Sequence, residues 1–175
     1  MTDFIKQLQE DGITVDVLNL GGGFGVHYTE EDPKYNVGEY CDYVKLLTQT
    51  LSDCVERKKI KKPVFIIEPG RAIVGEAGVT LYSVGAIKDI EGVRKYVAID
   101  GGMTDNIRPA LYEAKYEAVL ANRANDKPEE VVTIAGKCCE SGDIIIKDIK
   151  LPKAKRGDLL AVFTTGAYCY SMASN

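Results

Sequence analysis

The sequence predicts a chain of two parts, an α/β segment followed by an all-β module. Up to residue 71 the pattern reads helix, strand, glycine-rich loop, helix and strand, which is the alternation of a parallel sheet or barrel. Beyond it, six short apolar runs are separated by Gly, Pro, Asn and Asp, which is typical of a β-sandwich or β-barrel. This change of pattern places a domain boundary near residue 72, with domains at 1–71 and 72–175.

The first domain contains two helices and two strands. Amphipathic spacing predicts a short helix over 2–11 and a long one from Gly38 to about Lys59. A strand is predicted at 15–20, directly before the glycine-rich loop 21–25. The continuous apolar run 64–68 has the length of a strand that is buried on both faces, as strands of parallel sheets are. These elements therefore predict a β-α-β unit.

The second domain contains six predicted strands. Each is a run of three to six mostly apolar residues bounded by turn-forming residues. The predicted strands cover residues 79–84, 95–99, 117–120, 131–134, 144–146 and 159–163.

Charge and composition exclude several classes of protein. The 175 residues include 22 Lys and Arg against 26 Asp and Glu, a net charge of −4, whereas nucleic-acid binding favours a basic face. No apolar run approaches the ~18 residues of a membrane helix, and the N-terminus lacks the pattern of a secretory signal. Five cysteines without CxxC spacing indicate neither a disulfide framework nor a metal site, so we expect a cytosolic protein.

The glycine-rich loop is the first candidate ligand site. Gly21, Gly22 and Gly23 directly follow a predicted parallel strand, where a glycine backbone can approach a phosphate and direct amide N–H groups at it. The dinucleotide fingerprint is absent, because Val26 stands at the third glycine position and the next predicted helix begins far downstream. Phosphate binding and a simple tight turn both stay open on this motif.

The second candidate is Glu68-Pro69-Gly70-Arg71, which ends the second predicted strand. In β/α folds this edge of the sheet binds ligands. The Arg71 guanidinium suits phosphate or carboxylate, and Glu68 suits a basic ring nitrogen. The two loops together predict a phosphorylated cofactor such as pyridoxal 5'-phosphate. A structural turn with a surface ion pair is the alternative.

The β-domain carries its own polar motifs. Arg108 and Tyr112 stand four residues apart and are suited to a substrate carboxylate. Cys139 beside Glu140 is suited to proton donation next to a cation site. Tyr168, in a Gly-Ala-Tyr motif, is a further candidate. Taken singly, each of these residues also has a structural interpretation: Arg108 in a surface ion pair, the cysteine as a small buried residue and Tyr168 in the core.

Together these motifs carry a resemblance that covers nearly the whole chain. In order and rough spacing, the chain resembles the diaminopimelate decarboxylases, in the alanine-racemase-fold group of pyridoxal-phosphate decarboxylases. The motifs lie at residues 20–25, 68–71, 108–112, 139–143 and 166–175. The resemblance implies that residues 1–71 end a (β/α)8 barrel and that 72–175 form a C-terminal β-barrel or sandwich, with both domains incomplete.

The resemblance implies a cofactor role for five residues of the two loops that follow the strands of the first domain. Gly23 would contact the phosphate of pyridoxal 5'-phosphate, and Glu68 would pair with its protonated ring nitrogen. Pro69 belongs to the same cofactor-binding loop. Gly70 and Arg71 would border the phosphate, with Arg71 also near a substrate carboxylate.

It also implies decarboxylation of meso-2,6-diaminopimelate to L-lysine and CO2, a step of lysine biosynthesis. Arg108 and Tyr112 would hold the distal end of the substrate, and Tyr168 would touch cofactor and substrate. Cys139 would protonate the carbon that loses CO2, and Glu140 would bind the distal ammonium. The Cys–Glu loop would enter the active site of a partner subunit, so the resemblance implies a homodimer with shared active sites.

Two features of the sequence leave alternatives open. Glu140 favours diaminopimelate as the substrate, because the similar ornithine and arginine decarboxylases carry Asp at this position. The alternative is a decarboxylase that acts on ornithine, arginine or carboxynorspermidine. The chain lacks the family's Tyr-Ala-x-Lys-Ala-Asn and His-x-Gly-Ser motifs, and we expect His27 to be solvated. We therefore expect a C-terminal fragment, ending before the last strand and inactive by itself, with a non-catalytic dimerisation module as the second alternative.

Overall fold

The computed structural model of the chain describes residues 1–174 and consists of two compact units. The first unit contains residues 1–25 and 34–70, and the second contains residues 26–33 together with those from Arg71 onward. The boundary between Gly70 and Arg71 lies close to the domain boundary expected near residue 72. Segment 26–33 lies in the second unit, although its position in the sequence suggests the first.

The first unit is a β-α-β unit with one further helix, as its sequence pattern predicts. Its elements are α1 (Thr2–Glu10), β1 (Val17–Asn19), α2 (Val37–Lys58) and β2 (Val64–Ile66). β1 and β2 pair in parallel, with Val17 opposite Val64. The expectation that β2 is buried on both faces is wrong, since Val64 and Ile66 are exposed. Their carboxyl ends therefore lie at the same edge, where the two candidate cofactor loops begin. A small core of Ile5, Leu18, Val55 and Ile60 joins the helices to the strands.

The second unit is a mixed six-stranded sheet that curls nearly into a barrel. The strands are β3 (Thr80–Ile90), β4 (Arg94–Ile99), β5 (Ala118–Leu120), β6 (Glu130–Ala135), β7 (Ile144–Leu151) and β8 (Leu159–Val162). Neighbouring strands are antiparallel except β4 and β6, which pair in parallel, and the sheet order is β5-β8-β3-β4-β6-β7. The two ends of the sheet, β5 and β7, approach one another.

The six predicted strands of the second unit are confirmed, and two of them, β3 and β7, extend five or more residues beyond the predicted runs. These extensions contain charged residues and are mostly exposed, so the apolar runs marked only part of each strand. Two five-residue helices, α3 (Gly70–Val74) and α4 (Arg108–Tyr112), were not predicted. Each is barely more than one turn, too short for an apolar period to appear in the sequence.

The core of the second unit positions the candidate site residues. It joins inward-facing residues of all six strands with side chains from the loops, among them Tyr116 and Cys169. Arg108, at the start of α4, is itself buried, with 6% of its surface exposed. Within residues 1–174, no helix combines the length and the apolar character needed to cross a membrane.

Candidate active-site residues in the two units

In the first unit, the glycine loop adopts a backbone that requires glycine. Gly21 and Gly23 have φ angles of 73° and 87°, which other residues rarely adopt. A Cβ on Gly22 would lie 2.6 Å from the carbonyl oxygen of Glu68. The amide of Glu68 donates to the Gly21 carbonyl at 2.8 Å, so the loops after β1 and β2 are joined through their backbones.

The same loop leaves backbone donors for a ligand. The Gly21 amide donates to Asn19 Oδ1 at 2.8 Å. In the part of the chain that the structure describes, the amides of Gly22 and Gly23 donate to no protein acceptor. A Cβ on Gly23 would meet no atom within 4 Å, so the space beside it is open. Free N–H groups beside open space on a glycine turn fit a phosphate group.

Asn19 orients the Glu68 carboxylate. Its Nδ2 donates to Glu68 Oε1 at 2.6 Å, while its Oδ1 accepts from the glycine loop. The Glu68 side chain is exposed, and the Gly70 amide donates to the Glu68 carbonyl at 2.8 Å in a tight turn that includes Pro69. A fixed, accessible carboxylate near free backbone amides fits a cofactor with a phosphate and a basic ring nitrogen.

In the second unit, Arg108 is held by two tyrosines. Its Nη1 donates to Tyr28 Oη and to Tyr116 Oη, each at 2.8 Å. The Cζ atom lies 5.2 Å from the ring centroid of Tyr28 and 5.9 Å from that of Tyr116, so both rings also make cation–π contacts. Arg108 comes from α4, Tyr28 from the segment 26–33 and Tyr116 from the loop before β5.

Arg108 carries a buried charge that no carboxylate of the described residues offsets. Burial lowers the pKa of its guanidinium, but the Tyr116 and Tyr28 hydroxyls raise it, and the net pKa lies above its usual value. Burial raises the pKa of Tyr116, so that phenol is neutral. Among residues 1–174, no Asp or Glu forms an ion pair with Arg108. A buried cation whose partners are neutral is suited to an anionic ligand.

A groove of about 370 Å³ in the second unit is lined by Tyr28, Arg71, Arg108 and Tyr112, among others. Tyr168 contacts both arginines: its ring centroid lies 5.3 Å from Arg71 Cζ and 5.9 Å from Arg108 Cζ. The structure therefore brings together four of the predicted site residues, namely Arg71, Arg108, Tyr112 and Tyr168.

Cys139 and Glu140 lie elsewhere in the second unit. Both are exposed, on a turn in which the Glu140 amide donates to the Cys138 carbonyl at 2.9 Å. Neither residue lines the groove beside Arg108. The buried carboxylate of Asp143 accepts from the amides of Cys138 at 2.8 Å and Met103 at 2.7 Å, so it fixes the backbone ahead of Cys139.

Four residues of these sites were not found by sequence reasoning: Asn19, Tyr28, Tyr116 and Asp143. Asn19 had a detectable signal, since it stands in the apolar run of the first strand, two residues before the glycine loop. Asp143 had a weaker signal as the last residue of the Cys-Glu-Ser-Gly-Asp motif. His27, expected to be solvated, is half-buried, and its Nδ1 lies 3.1 Å from the carbonyl oxygen of Asp32.

Comparisons with known proteins agree with the fold. The family model for the C-terminal sheet domain of pyridoxal-dependent decarboxylases matches residues 13–166. The diaminopimelate decarboxylase of Bacillus subtilis (strain 168) is 58% identical over 159 residues, which are 91% of this chain and 36% of that protein. That of Staphylococcus aureus (strain COL) is 56% identical over 172 residues, which are 98% of this chain and 40% of that protein.

Solved structures give the same result. The crystal structure of diaminopimelate decarboxylase from M. jannaschii in complex with L-lysine superposes with a TM-score of 0.81 at 39% identity, covering 99% of this chain and 38% of that one. This chain thus spans about two fifths of the length of the relatives that it matches. Because the family model covers most of the chain, the chain belongs to the pyridoxal-dependent decarboxylases.

Proposed function

We propose that these residues are the C-terminal part of a diaminopimelate decarboxylase, which converts meso-2,6-diaminopimelate to L-lysine and CO2. The observation that carries this proposal is the buried Arg108, whose guanidinium has no carboxylate partner in the described chain. Diaminopimelate has a carboxylate at its far end that would complete this site. Ornithine and arginine have no carboxylate there and would leave the buried charge uncompensated.

The first unit would hold the cofactor by its phosphate and its ring. The free amides of Gly22 and Gly23 are suited to the phosphate, with Pro69 and Gly70 in the adjacent turn. Glu68, oriented by Asn19, would accept a hydrogen bond from the protonated ring nitrogen and keep that nitrogen protonated. Pyridoxal phosphate, when bound, supplies an electron sink for the pair left when the carboxylate departs as CO2.

The second unit would hold the substrate and supply a proton. Arg108 would pair with the distal carboxylate, and Tyr112 would line the same groove. Arg71 and Tyr168, which contact each other, would border cofactor and substrate. The Cys139 thiol would give its proton to the α-carbon that has lost CO2, and Glu140 would bind the distal ammonium.

We further propose that two copies associate and share their active sites. The exposed turn of Cys139 and Glu140 lies outside its own chain's Arg108 groove, which supports its contributing to the site of a second copy. The proposal also includes a cytosolic location, which the five unpaired cysteines support.

The test is a graft of this chain into the Bacillus subtilis enzyme in place of the segment that it matches. We expect the graft to release L-lysine from meso-diaminopimelate and not to decarboxylate ornithine, arginine or carboxynorspermidine. Arg108→Leu in the graft should lower kcat/KM by about a hundredfold, because it removes a buried charge pair. The 175 residues alone, which lack the lysine motif, should release no lysine.

Two outcomes would contradict the proposal. Faster turnover of ornithine, arginine or carboxynorspermidine than of diaminopimelate would identify a different decarboxylase of the group. A folded graft that binds the cofactor but turns over none of these substrates would support a non-catalytic module instead.

A further inference from the structure

We infer that Tyr28 and Tyr116 are positioning residues for Arg108, which orient its guanidinium so that the Nε and Nη2 edge is presented to a substrate carboxylate. The inference deepens the proposed function and rests on it for the identity of the ligand. The geometry that carries it is the pair of hydrogen bonds from one guanidinium nitrogen, Nη1, to the two phenol oxygens.

Counting donors shows which edge of the guanidinium is free. Arginine has five N–H groups in a planar fork, two on Nη1, two on Nη2 and one on Nε. The two tyrosines accept both hydrogens of Nη1. In the described chain, Nη2 and Nε donate to no other side chain. These two nitrogens form the edge that binds a carboxylate through two parallel hydrogen bonds.

The chemical nature of the two acceptors preserves the charge of Arg108. A carboxylate in either position would hold the guanidinium equally well, but it would neutralise the charge that attracts the substrate. A neutral phenol accepts the hydrogen bond and leaves the full positive charge for the ligand. The faces of both rings add a cation–π contribution that also requires no counter-charge.

The two tyrosines are fixed independently of any ligand. Tyr116 is 3% exposed and belongs to the core of the sheet, with its Oη 3.7 Å from Cys169 Sγ. Tyr28 packs edge-to-face on Tyr116, with ring centroids 5.4 Å apart. The backbone of Tyr28 is held in turn by Asp32, whose Oδ2 accepts from the Tyr28 amide at 3.3 Å. The orientation of Arg108 is therefore set by the core before a substrate binds.

The kinetic test uses Tyr28→Phe, Tyr116→Phe and the double variant in the Bacillus subtilis graft. Each change removes an oxygen and keeps the ring, so packing and cation–π contacts are retained. We expect each single variant to raise KM for meso-diaminopimelate about tenfold with kcat changed less than about twofold, because the loss falls on substrate binding. The matched control is Tyr82→Phe, a buried tyrosine of the same core whose hydroxyl does not contact Arg108.

The second measurement is independent of activity and uses the 175-residue chain itself. Nitrogen-15 NMR of its arginines, with Arg108 assigned through Arg108→Lys, reports the rotation of the guanidinium group. We expect slowly exchanging Nη1 protons in the unchanged chain and in Tyr82→Phe, and fast exchange in the double variant.

The outcomes separate this inference from the proposed function. Slow Nη1 exchange that persists in the double variant overturns the inference, and so does an unchanged KM in an active graft. If the graft is inactive but the exchange accelerates as expected, the positioning role stands and the proposed substrate fails. The inference is also overturned if Tyr28→Phe and Tyr116→Phe lower kcat without changing KM and Tyr82→Phe lowers kcat equally. That result would indicate that the two tyrosines only stabilise the fold.

Discussion

Asp143 shows how a single buried carboxylate can fix the backbone beside a side chain that it does not touch. It is 2% exposed, yet its oxygens accept backbone N–H groups rather than an ion-pair partner. Gly102 and Gly136 surround it so closely that a Cβ on either would collide with the carboxylate. Asp143 therefore fixes the backbone that leads into Cys139, and the glycines provide the space for it.

Asp143→Asn is expected to destabilise the second unit. The amide keeps one acceptor oxygen but turns an NH2 group toward a backbone N–H, so one buried donor loses its partner. We expect the free energy of unfolding to fall by about 1–3 kcal/mol, measured by urea denaturation. Asp89→Asn, an exposed carboxylate on β3, is the control and should change it by less than about 0.5 kcal/mol. Equal effects of the two changes would contradict the role assigned to Asp143.

At the level of single residues, the sequence allowed us to predict those that belong to short contiguous motifs. Arg71, Arg108 and Tyr168 were predicted, and the structure brings them into contact. It could not find Tyr28, because this tyrosine lies 80 positions from its partner Arg108 and in a segment without any recognisable pattern. The partners of a buried charge depend on the fold, and one sequence does not display them.

Among the elements, α2 has the most complete termination signals. Asn36 accepts from the Glu39 amide at 3.1 Å, and Glu39 Oε2 accepts from the Asn36 amide at 2.7 Å, which forms a capping box. At the other end, Lys59 has the left-handed backbone that often follows a helix. These local bonds explain why the observed bounds of α2 differ by only one residue at each end from those predicted.

Asn36→Ala is expected to weaken α2 measurably. The change removes the side-chain oxygen that satisfies a free amide in the first turn. We expect a loss of about 0.5–2 kcal/mol in the free energy of unfolding, followed by circular dichroism. The control is Lys45→Ala on the exposed face of the same helix, whose ion pair with Asp42 is worth less than about 1 kcal/mol. A control variant that loses as much as Asn36→Ala would contradict the capping role.

Two features of the fold could not be predicted from the sequence, and each has its own physical cause. α3 and α4 are too short for periodicity, and the parallel pairing of β4 with β6 depends on contacts between distant strands. Strand existence follows from local composition, whereas strand order follows from packing. That the first unit ends a (β/α)8 barrel stays a prediction.

For the whole molecule, the proposed sharing of active sites makes a quantitative prediction. Cys139→Ala and Glu68→Ala change residues that would serve the same site from different subunits. Co-expressed in the graft, the two inactive variants should recover about a quarter of the parent activity, because half of the random dimers are mixed and each has one intact site. The measurement is L-lysine release by the purified mixture.

The control for that experiment pairs Cys139→Ala with Glu140→Ala. Both changes fall on one turn, so no mixed dimer has an intact site and no activity should return. Failure of Cys139→Ala and Glu68→Ala to complement each other would show that each chain completes its own site.

The path of the chain between its two units limits how this protein can be divided. Segment 26–33 belongs to the second unit, although residues of the first unit precede and follow it. A piece cut at Arg71 would keep all six strands of the sheet but would lose Tyr28, and with it one of the two acceptors of Arg108. The residues from Arg71 onward therefore do not contain the whole Arg108 site. Recombination that exchanged it between genes as one contiguous block would separate Arg108 from the tyrosine that aligns it.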